Sequence, residues 1–372
     1  MKLLYCLHGL NNSGGMESVV LRKANYLAEH TEHEVSILVC GKKGRNAFFP
    51  VSPKIRIYDL GLRSYHGFRF LPARRRMARF LNELRPDICI STGGKELFII
   101  SRIKDGSRKI CEFHFSYNRL KLKYKGKFLG GLRSLLYRYR FEKALSRIDN
   151  FVVLTREDQA IWRPRFPKTL QIYNPCPETT GEAAPLTAKR CIAVGRLSDE
   201  KNYPDMIRAW AQVARKHPDW SLDIFGSGRQ AEQIGKMIVE AGLEQQVRLM
   251  GTTQDIPQAL LSHSCLLLTS RYEGCPMVLL EAAAHGVPAV SYRCKSGPSE
   301  IIEDGGSGFL VNPGDISGLA DRVCRIIEDE DLRKRLGAGS IKQAERFRLV
   351  NVMAEWERLF RDLGSPAPEA DR

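Results

Sequence analysis

Residues 270–292 read SRYEGCPMVLLEAAAHGVPAVSY, and this stretch places Glu273 and Glu281 eight residues apart on either side of a helix start. Pro276 suits the first helical position, because its missing N–H costs nothing there and its fixed φ is already helical. Gly274 and Cys275 form the approach. A thiol is a poor N-cap, so the amides of Met277 and Val278 are expected to lack a side-chain acceptor. First-turn amides at the positive end of a helix attract an anion. Glu273 then stands in the loop beside that anion and Glu281 one turn further in, so a ligand with both phosphate and hydroxyl groups touches both. The run PAVSY after His285 and Gly286 reads as a buried strand.

Two glutamates at this spacing also occur on solvated helix faces, so the surroundings decide. EG precedes, LLEAAAHGVP lies within, and SGPSEIIEDGGSGFLVNPGD follows. Taken together the string resembles the E-x7-E signature of retaining glycosyltransferases of family 4, of the bacterial surface-glycan type. The resemblance implies an α/β chain of GT-B architecture: two Rossmann-like, doubly wound domains facing each other across a cleft.

Outward from the signature, further residues match the family. After the apolar strand CIAVG comes RLSDEK, which sets Arg196 and Lys201 five apart in a strand-to-helix turn. Two cations there suit a diphosphate, Arg through its planar fork and Lys as a point charge. In the family such a pair binds the pyrophosphate, and Asn202 stands where a glycine often follows the lysine. Near the start, KLLYCL, HGLNNSGG and ESVVLRKANYLAEH read as strand, loop and helix. Gly14 and Gly15 allow a phosphate or sugar close to the backbone. The pattern is not GxGxxG, and the family places a Gly-Gly loop here facing the donor. His114 ends the run RKICEFHF, at the strand end where open α/β sheets bind ligands; a family histidine there faces the donor sugar.

Carried over, the resemblance makes Glu273, Arg196, Lys201 and His114 the catalytic set. Arg196 and Lys201 stabilise the diphosphate, Glu273 holds donor-sugar hydroxyls and Glu281 the ribose hydroxyls. Gly274, Cys275, Met277 and Val278 complete the phosphate cradle, and Gly14, Gly15, Gly226 and Gly228 lie close to the nucleotide sugar. The departing diphosphate helps accept the acceptor's proton on the same face, so the family's chemistry needs a stabilised leaving group more than a dedicated nucleophile.

Short apolar runs alternate with helical stretches along the whole chain, which argues for parallel sheets covered on both faces. The expected division is an acceptor-binding domain over 1–176, a Pro/Thr/Ala/Gly-rich linker over 177–190 and a nucleotide-sugar-binding domain over 191–341. Helices over 342–363 are expected to return to the first domain, as in the family, and 364–372 to fray.

At 372 residues the chain can bury two cores. Its ten cysteines show no CxxC pairing, which excludes a zinc ribbon and favours small reduced core residues. The short apolar start and the lack of a run near ~18 apolar residues argue for a cytoplasmic chain. No D-x-D stands where a nucleotide is expected, so no catalytic metal and no cofactor beyond the nucleotide-sugar substrate is anticipated.

An excess of 58 basic over 42 acidic residues, a net charge of +16, points to an anionic partner. Between Arg119 and Arg147 ten Lys or Arg stand against the single acid Glu142, interleaved with Leu, Phe and Tyr. A second cluster, FRFLPARRRMARF, spans 68–80. Such stretches suit either an interfacial helix on an anionic membrane or a solvated basic face over an ordinary core. No nucleic-acid module is recognisable, so nucleic acid is not the expected partner. The expected partners are a nucleotide-sugar donor, a glycan or lipid-linked glycan acceptor, and an anionic membrane surface reached peripherally. The rival readings are a nucleotide-sugar epimerase of the same architecture and a basic nucleic-acid-binding protein.

Overall fold

The computed structural model describes residues 1–11, 14–41, 47–62, 70–117, 130–177 and 181–364. The chain divides into two compact units, Met1–Pro175 together with Val350–Arg372, and Cys176–Leu349.

The first unit is built on seven parallel strands: β1 (Lys2–Leu7), β2 (Glu34–Val39), β3 (Arg56–Asp59), β4 (Ile88–Ser91), β5 (Arg108–Phe113), β6 (Asn150–Val153) and β7 (Thr169–Gln171). Their order is β3-β2-β1-β4-β5-β6-β7, so the sheet grows one way from β1 to β3 and then the other way from β4. Strands such as KLLYCL and EVSILV are buried at every position after the first. Helices cover both faces of such a sheet, which is why these strands read as continuous apolar runs and not as alternation. β7, TLQ, has no apolar run, and only its pairing with β6 makes it a strand.

The second unit repeats the plan with six strands: β8 (Arg190–Val194), β9 (Ser221–Phe225), β10 (Val247–Gly251), β11 (Cys265–Leu268), β12 (Ala289–Tyr292) and β13 (Gly308–Val311). Their order is β10-β9-β8-β11-β12-β13. Both units thus have the doubly wound Rossmann order, reversing beside the first strand of each sheet. Both are the Rossmann-like domains that the motifs imply.

The stretch that reads as a linker packs on the second unit. Ala184 N–H donates to His285 O at 2.8 Å and Arg333 Nε to Leu186 O at 2.9 Å, and just ahead of the stretch Cys176 N–H donates to Phe347 O at 2.6 Å. The final helix, Leu349–Gly364, lies almost wholly in the first unit. Trp356, 1% exposed, sits under the Lys23 ammonium, 4.4 Å from its ring centre, and Glu357 pairs with His33 at 3.1 Å. None of the ten cysteines is in a disulfide, and all but Cys275 are buried.

Removing the Trp356 ring empties a site between the last helix and the helix Gly15–His30. Trp356→Ala should therefore destabilise the protein by about 3–5 kcal/mol, read as a lower urea midpoint; an unchanged midpoint would show that the last helix contributes little to the first unit.

Candidate functional site: the switch points of the two sheets

In an open α/β sheet the strand order reverses between two neighbouring strands, and the loops leaving them part to form a crevice at their carboxyl ends. In the second unit those strands are β8 and β11, and their loops carry Arg196, Lys201 and Glu273.

The β11 loop is stitched to the β8 loop. Thr269 Oγ1 donates to Lys201 O at 3.1 Å and to Asn202 O at 3.0 Å. Arg271 N–H reaches Glu200 O at 2.8 Å, its Nε reaches Asp199 O at 3.1 Å and its Nη2 reaches Asn202 Oδ1 at 2.9 Å. Asn202 is the N-cap of the helix Tyr203–Lys216 with φ 53° and ψ 45°. That left-handed geometry suits Gly best and Asn next, which is why Asn serves where the family often has glycine.

Across this seam Lys201 Nζ donates to Glu273 Oε1 at 2.7 Å, and Ser270 Oγ donates to the same oxygen at 2.5 Å. The two side chains of the pair are 19% and 12% exposed. Arg196 behaves differently. Its side chain is 74% exposed and lies 3.9 Å from Glu200, a distance and exposure at which an ion pair contributes little. The structure thus separates two cations that sequence reading treats alike: Lys201 is committed to Glu273, while Arg196 extends outward.

The helix bearing Glu281 runs from Met277 to Ala284. Pro276 is its N-cap, with φ −72° and ψ 98°, and not its first helical residue. The extended ψ turns the chain before the helix begins, although Pro276 O still accepts from Leu279 N–H at 2.9 Å. The N-cap residue makes no side-chain hydrogen bond at this helix start, but the reason is that it is Pro276 and not the expected Cys275. The Glu273–Pro276 loop is backed by Gly297, where φ is +105° and a Cβ would stand 2.6 Å from Pro276 Cδ. Sequence reading passed over Gly297; SGP four residues beyond the strand end at Tyr292 was its signal.

Gly226 and Gly228 lie in the loop after β9. A Cβ on Gly226 would fall 1.9 Å from Gly195 O, and one on Gly228 would fall 2.2 Å from Leu197 O. Both glycines therefore let this loop close on the β8 loop, where Gly195 N–H donates to Phe225 O at 2.9 Å and Leu197 N–H to Ser227 O at 3.0 Å.

In the first unit the reversal lies between β1 and β4. Gly14 caps the helix Gly15–His30, so Gly15 is its first residue and not part of the preceding loop. A Cβ on Gly14 would meet Glu17 Oε2 at 2.6 Å. A carboxylate at this helix start favours sugar hydroxyls over phosphate. After β4, Glu96 accepts from Ser91 Oγ at 3.0 Å, Thr92 Oγ1 at 3.3 Å and Gly94 N–H at 2.9 Å. Burial pushes its carboxyl up from the usual range, against the pull of these donors. Glu96 also escaped the sequence reading, though STGGKE at a strand end was a legible signal.

His114 lies just beyond β5, with Glu112 two residues earlier on the same side of the strand. Its Nε2 is 3.2 Å from Glu112 Oε1. That contact is off-line for hydrogen bonding, and neither buried ring nitrogen has a hydrogen-bond partner among the described residues. Glu112 pairs with Lys23, both side chains being sealed from solvent. Burial alone would push the Glu112 carboxyl up, but Lys23 and His114 outweigh it and bring it down to about 2 from the usual 4.5.

Among the described residues one group could hold a metal: His217, Cys324 and Glu328, with ligand atoms within 4.8 Å of one another. It lies ahead of the amino end of β9, away from the strand ends that carry Lys201 and Glu273.

Two doubly wound parallel sheets fit a GT-B architecture, and comparison with known proteins identifies it as that of a glycosyltransferase. Residues 180–343 match Glycosyl transferases group 1 and residues 13–176 match Glycosyltransferase Family 4. An uncharacterised glycosyltransferase of Haemophilus influenzae is 26% identical over 96% of this chain and 99% of its own length. The amylovoran biosynthesis glycosyltransferase AmsD of Erwinia amylovora is 25% identical over 95% and 98%. Among solved structures, the lipopolysaccharide outer core galactosyltransferase WaaB in its apo form has a TM-score of 0.75 at 23% identity, covering 97% of this chain and 99% of that one. Anabaena HepE with UDP and glucose has a TM-score of 0.77 at 18% identity, covering 97% and 100%. The chain belongs to the group 1, family 4 glycosyltransferases.

The Glu112 carboxyl supplies a pH test. Its folded-state pKa is depressed, so the unfolded chain binds more protons between the two values. The corresponding stability is present above about 4.5 and is lost as pH falls toward about 2. Glu112→Gln should flatten this part of the urea-stability profile and, by leaving the Lys23 ammonium without its partner, cost roughly 3–5 kcal/mol at neutral pH. An unaltered acid limb in the variant would exclude Glu112 as its source.

Proposed function

We propose that the protein is a retaining glycosyltransferase that moves a hexose or N-acetylhexosamine from a nucleotide sugar, a UDP-sugar, to a lipid-linked or surface-polysaccharide acceptor. It works peripherally at the cytoplasmic face of a membrane. The observation that carries this reading is the Lys201–Glu273 pair at the β8/β11 switch point, with Arg196 extended beside it.

A diphosphate entering there meets Arg196 first and then competes for the Lys201 ammonium. Once Lys201 turns to the phosphate, Glu273 regains acceptor capacity for the hydroxyls of the donor sugar. Ground-state pairing therefore keeps both groups satisfied until the ligand that needs them arrives. As the glycosidic bond breaks, negative charge grows on the departing diphosphate, where two fixed cations are worth most. Glu281, in the helix behind, takes the ribose hydroxyls. His114, with unmet ring nitrogens at the end of β5, offers a hydrogen bond to the transferring sugar. Relatives support the substrate class: AmsD is named for amylovoran biosynthesis, and a Salmonella typhimurium lipopolysaccharide 1,6-galactosyltransferase is 37% identical over 145 residues. HepE has been solved with UDP-glucose, which favours a UDP-sugar donor.

The decisive assay is acceptor-dependent release of free UDP with formation of a new glycosidic product; an epimerised nucleotide sugar without release would mean the epimerase instead. In that assay Lys201→Ala, Arg196→Ala and Glu273→Ala should each lower kcat by about 10²–10³-fold with the fold intact. Glu281→Ala should chiefly raise KM for the donor. Full turnover in folded Lys201→Ala and Glu273→Ala proteins would remove the pair from the reaction.

A separate expectation concerns metal. With Arg196 and Lys201 as the charges for the diphosphate and no D-x-D motif where the nucleotide is expected, turnover should survive EDTA. Abolition by EDTA with recovery on adding Mg²⁺ or Mn²⁺ would require a metal-assisted leaving group.

A further inference from the structure

The helix Gly130–Leu145 carries two apolar faces where a surface helix ordinarily carries one. The first is inward: Phe141, Ala144 and Leu145 are buried, and Tyr137 packs against the aromatic cluster of Phe113, Phe151 and Trp162. The second faces solvent. Leu132, Leu135, Leu136 and Tyr139 are 53%, 52%, 53% and 59% exposed. At about 100° per residue the spacing i, i+3, i+4, i+7 gathers them into one stripe, centred roughly opposite the buried one. Burying that stripe against the sheet is geometrically impossible, because the helix already presents its other side there.

Cations border the stripe. Lys143 lies over the Tyr139 ring, 5.8 Å from its centre, and Arg140 lies over Phe98 at 5.3 Å. Phe98 belongs to the short buried helix Leu97–Ile100, which packs against both Gly130–Leu145 and the helix Phe70–Leu84. From the latter, Arg74 donates to Arg102 O at 3.3 Å, and the Arg102 guanidinium lies over Phe70 at 5.0 Å. Burial and then the neighbouring charges of Arg147, Arg140 and Arg74 lower the pKa of Arg102, in keeping with its place among like charges. Leu71, 59% exposed, adds an apolar residue on the same helix as Arg74.

We propose that this face docks on an anionic phospholipid bilayer. Leu132, Leu135, Leu136 and Tyr139 enter the interface, and Arg74, Arg102, Arg140 and Arg147 meet the lipid phosphates. Like-charged guanidinium groups held together beside an exposed apolar stripe match a surface that is anionic at its headgroups and apolar just beneath. A nucleic acid would answer the charge and leave the stripe in water. Lys121, Lys123, Lys125 and Lys127, the core of the basic stretch in the sequence, lie outside the described residues, so the surface is defined by the helices Gly130–Leu145 and Phe70–Leu84. That the face brings a lipid-linked acceptor within reach rests on the proposed transferase function; the docking itself does not.

Vesicle co-sedimentation tests it, with phosphatidylcholine alone and with added phosphatidylglycerol, on the full chain. Wild type should sediment with the anionic vesicles and much less with neutral ones, the difference shrinking with salt. Leu132→Ser/Leu135→Ser/Leu136→Ser and, separately, Arg74→Glu/Arg140→Glu should each lose at least about tenfold in partitioning. Lys236→Glu/Lys334→Glu, the same change in net charge on the second unit, should retain binding. Thermal unfolding checks each fold, and single Leu135→Ser replaces the triple variant if the latter fails to fold. Equal sedimentation with both lipids, equal loss in the control, or full binding by folded face variants would overturn the proposal. So would salt-sensitive RNA binding that depends on Arg74 and Arg140 without vesicle binding. Transfer to a water-soluble acceptor should be unaffected in the face variants. Vesicle binding by a wild-type protein that transfers no sugar would refute the transferase reading alone.

Discussion

In both sheets the strand order reverses beside the first strand, and most of what is functional here depends on that reversal. Helices that follow β8 and β11 lie on opposite faces of the sheet, so the loops leading into them diverge and open a crevice. A crevice alone would be floppy. Here Thr269 and Arg271 bind the backbone of the β8 loop, and Gly226 and Gly228 let the β9 loop close on it without a clash. The Lys201–Glu273 contact is the polar end of that stitching. It is a bond of the resting protein, and under the proposed function it is also the pair of groups that a sugar diphosphate would separate.

The first unit has the same strand order with different contents. Glu96 and His114 follow β4 and β5, and the Lys23–Glu112 pair joins the helix Gly15–His30 to β5. A sealed ion pair stabilises little on balance, because desolvation offsets its attraction. Its effect is better described as positional. Lys23 is fixed by Glu112 on one side and by the Trp356 ring on the other, which ties the helix Gly15–His30 to β5 and to the last helix of the chain. Carboxyl and imidazole groups at these strand ends suit the neutral hydroxyls of a sugar, whereas Arg196 and Lys201 suit a phosphate.

Much of this was legible in the amino-acid order because it is local. Continuous apolar runs such as KLLYCL and CIAV, punctuated by Gly and followed by helical periodicity, dictate parallel strands buried on both faces. The E-x7-E stretch was legible for the same reason: the loop, Pro276 and the helix lie within a few residues of one another. Local rules also set its limits. They put Pro276 inside the helix, where the fold makes it the cap, and they missed TLQ, whose strand exists only because β6 lies alongside.

What the sequence by itself determined is therefore the class of fold, the series of strands and the set of polar residues placed just after them. Tertiary structure alone decided which of those residues meet. Lys201 and Glu273 are seventy-two positions apart and Lys23 and Glu112 eighty-nine, and no periodicity links residues that distant. Only pairing β8 with β11, and laying the helix Gly15–His30 against the sheet, brings them within bonding distance. The same holds for the basic surface. Sequence composition could not separate an interfacial helix from a solvated one, because both carry Arg and Leu at helical spacing. What the fold decided is which residues lie on each side: Phe141 and Leu145 are buried while Leu132, Leu135 and Leu136 stay outside, since a helix can turn only one side to its sheet.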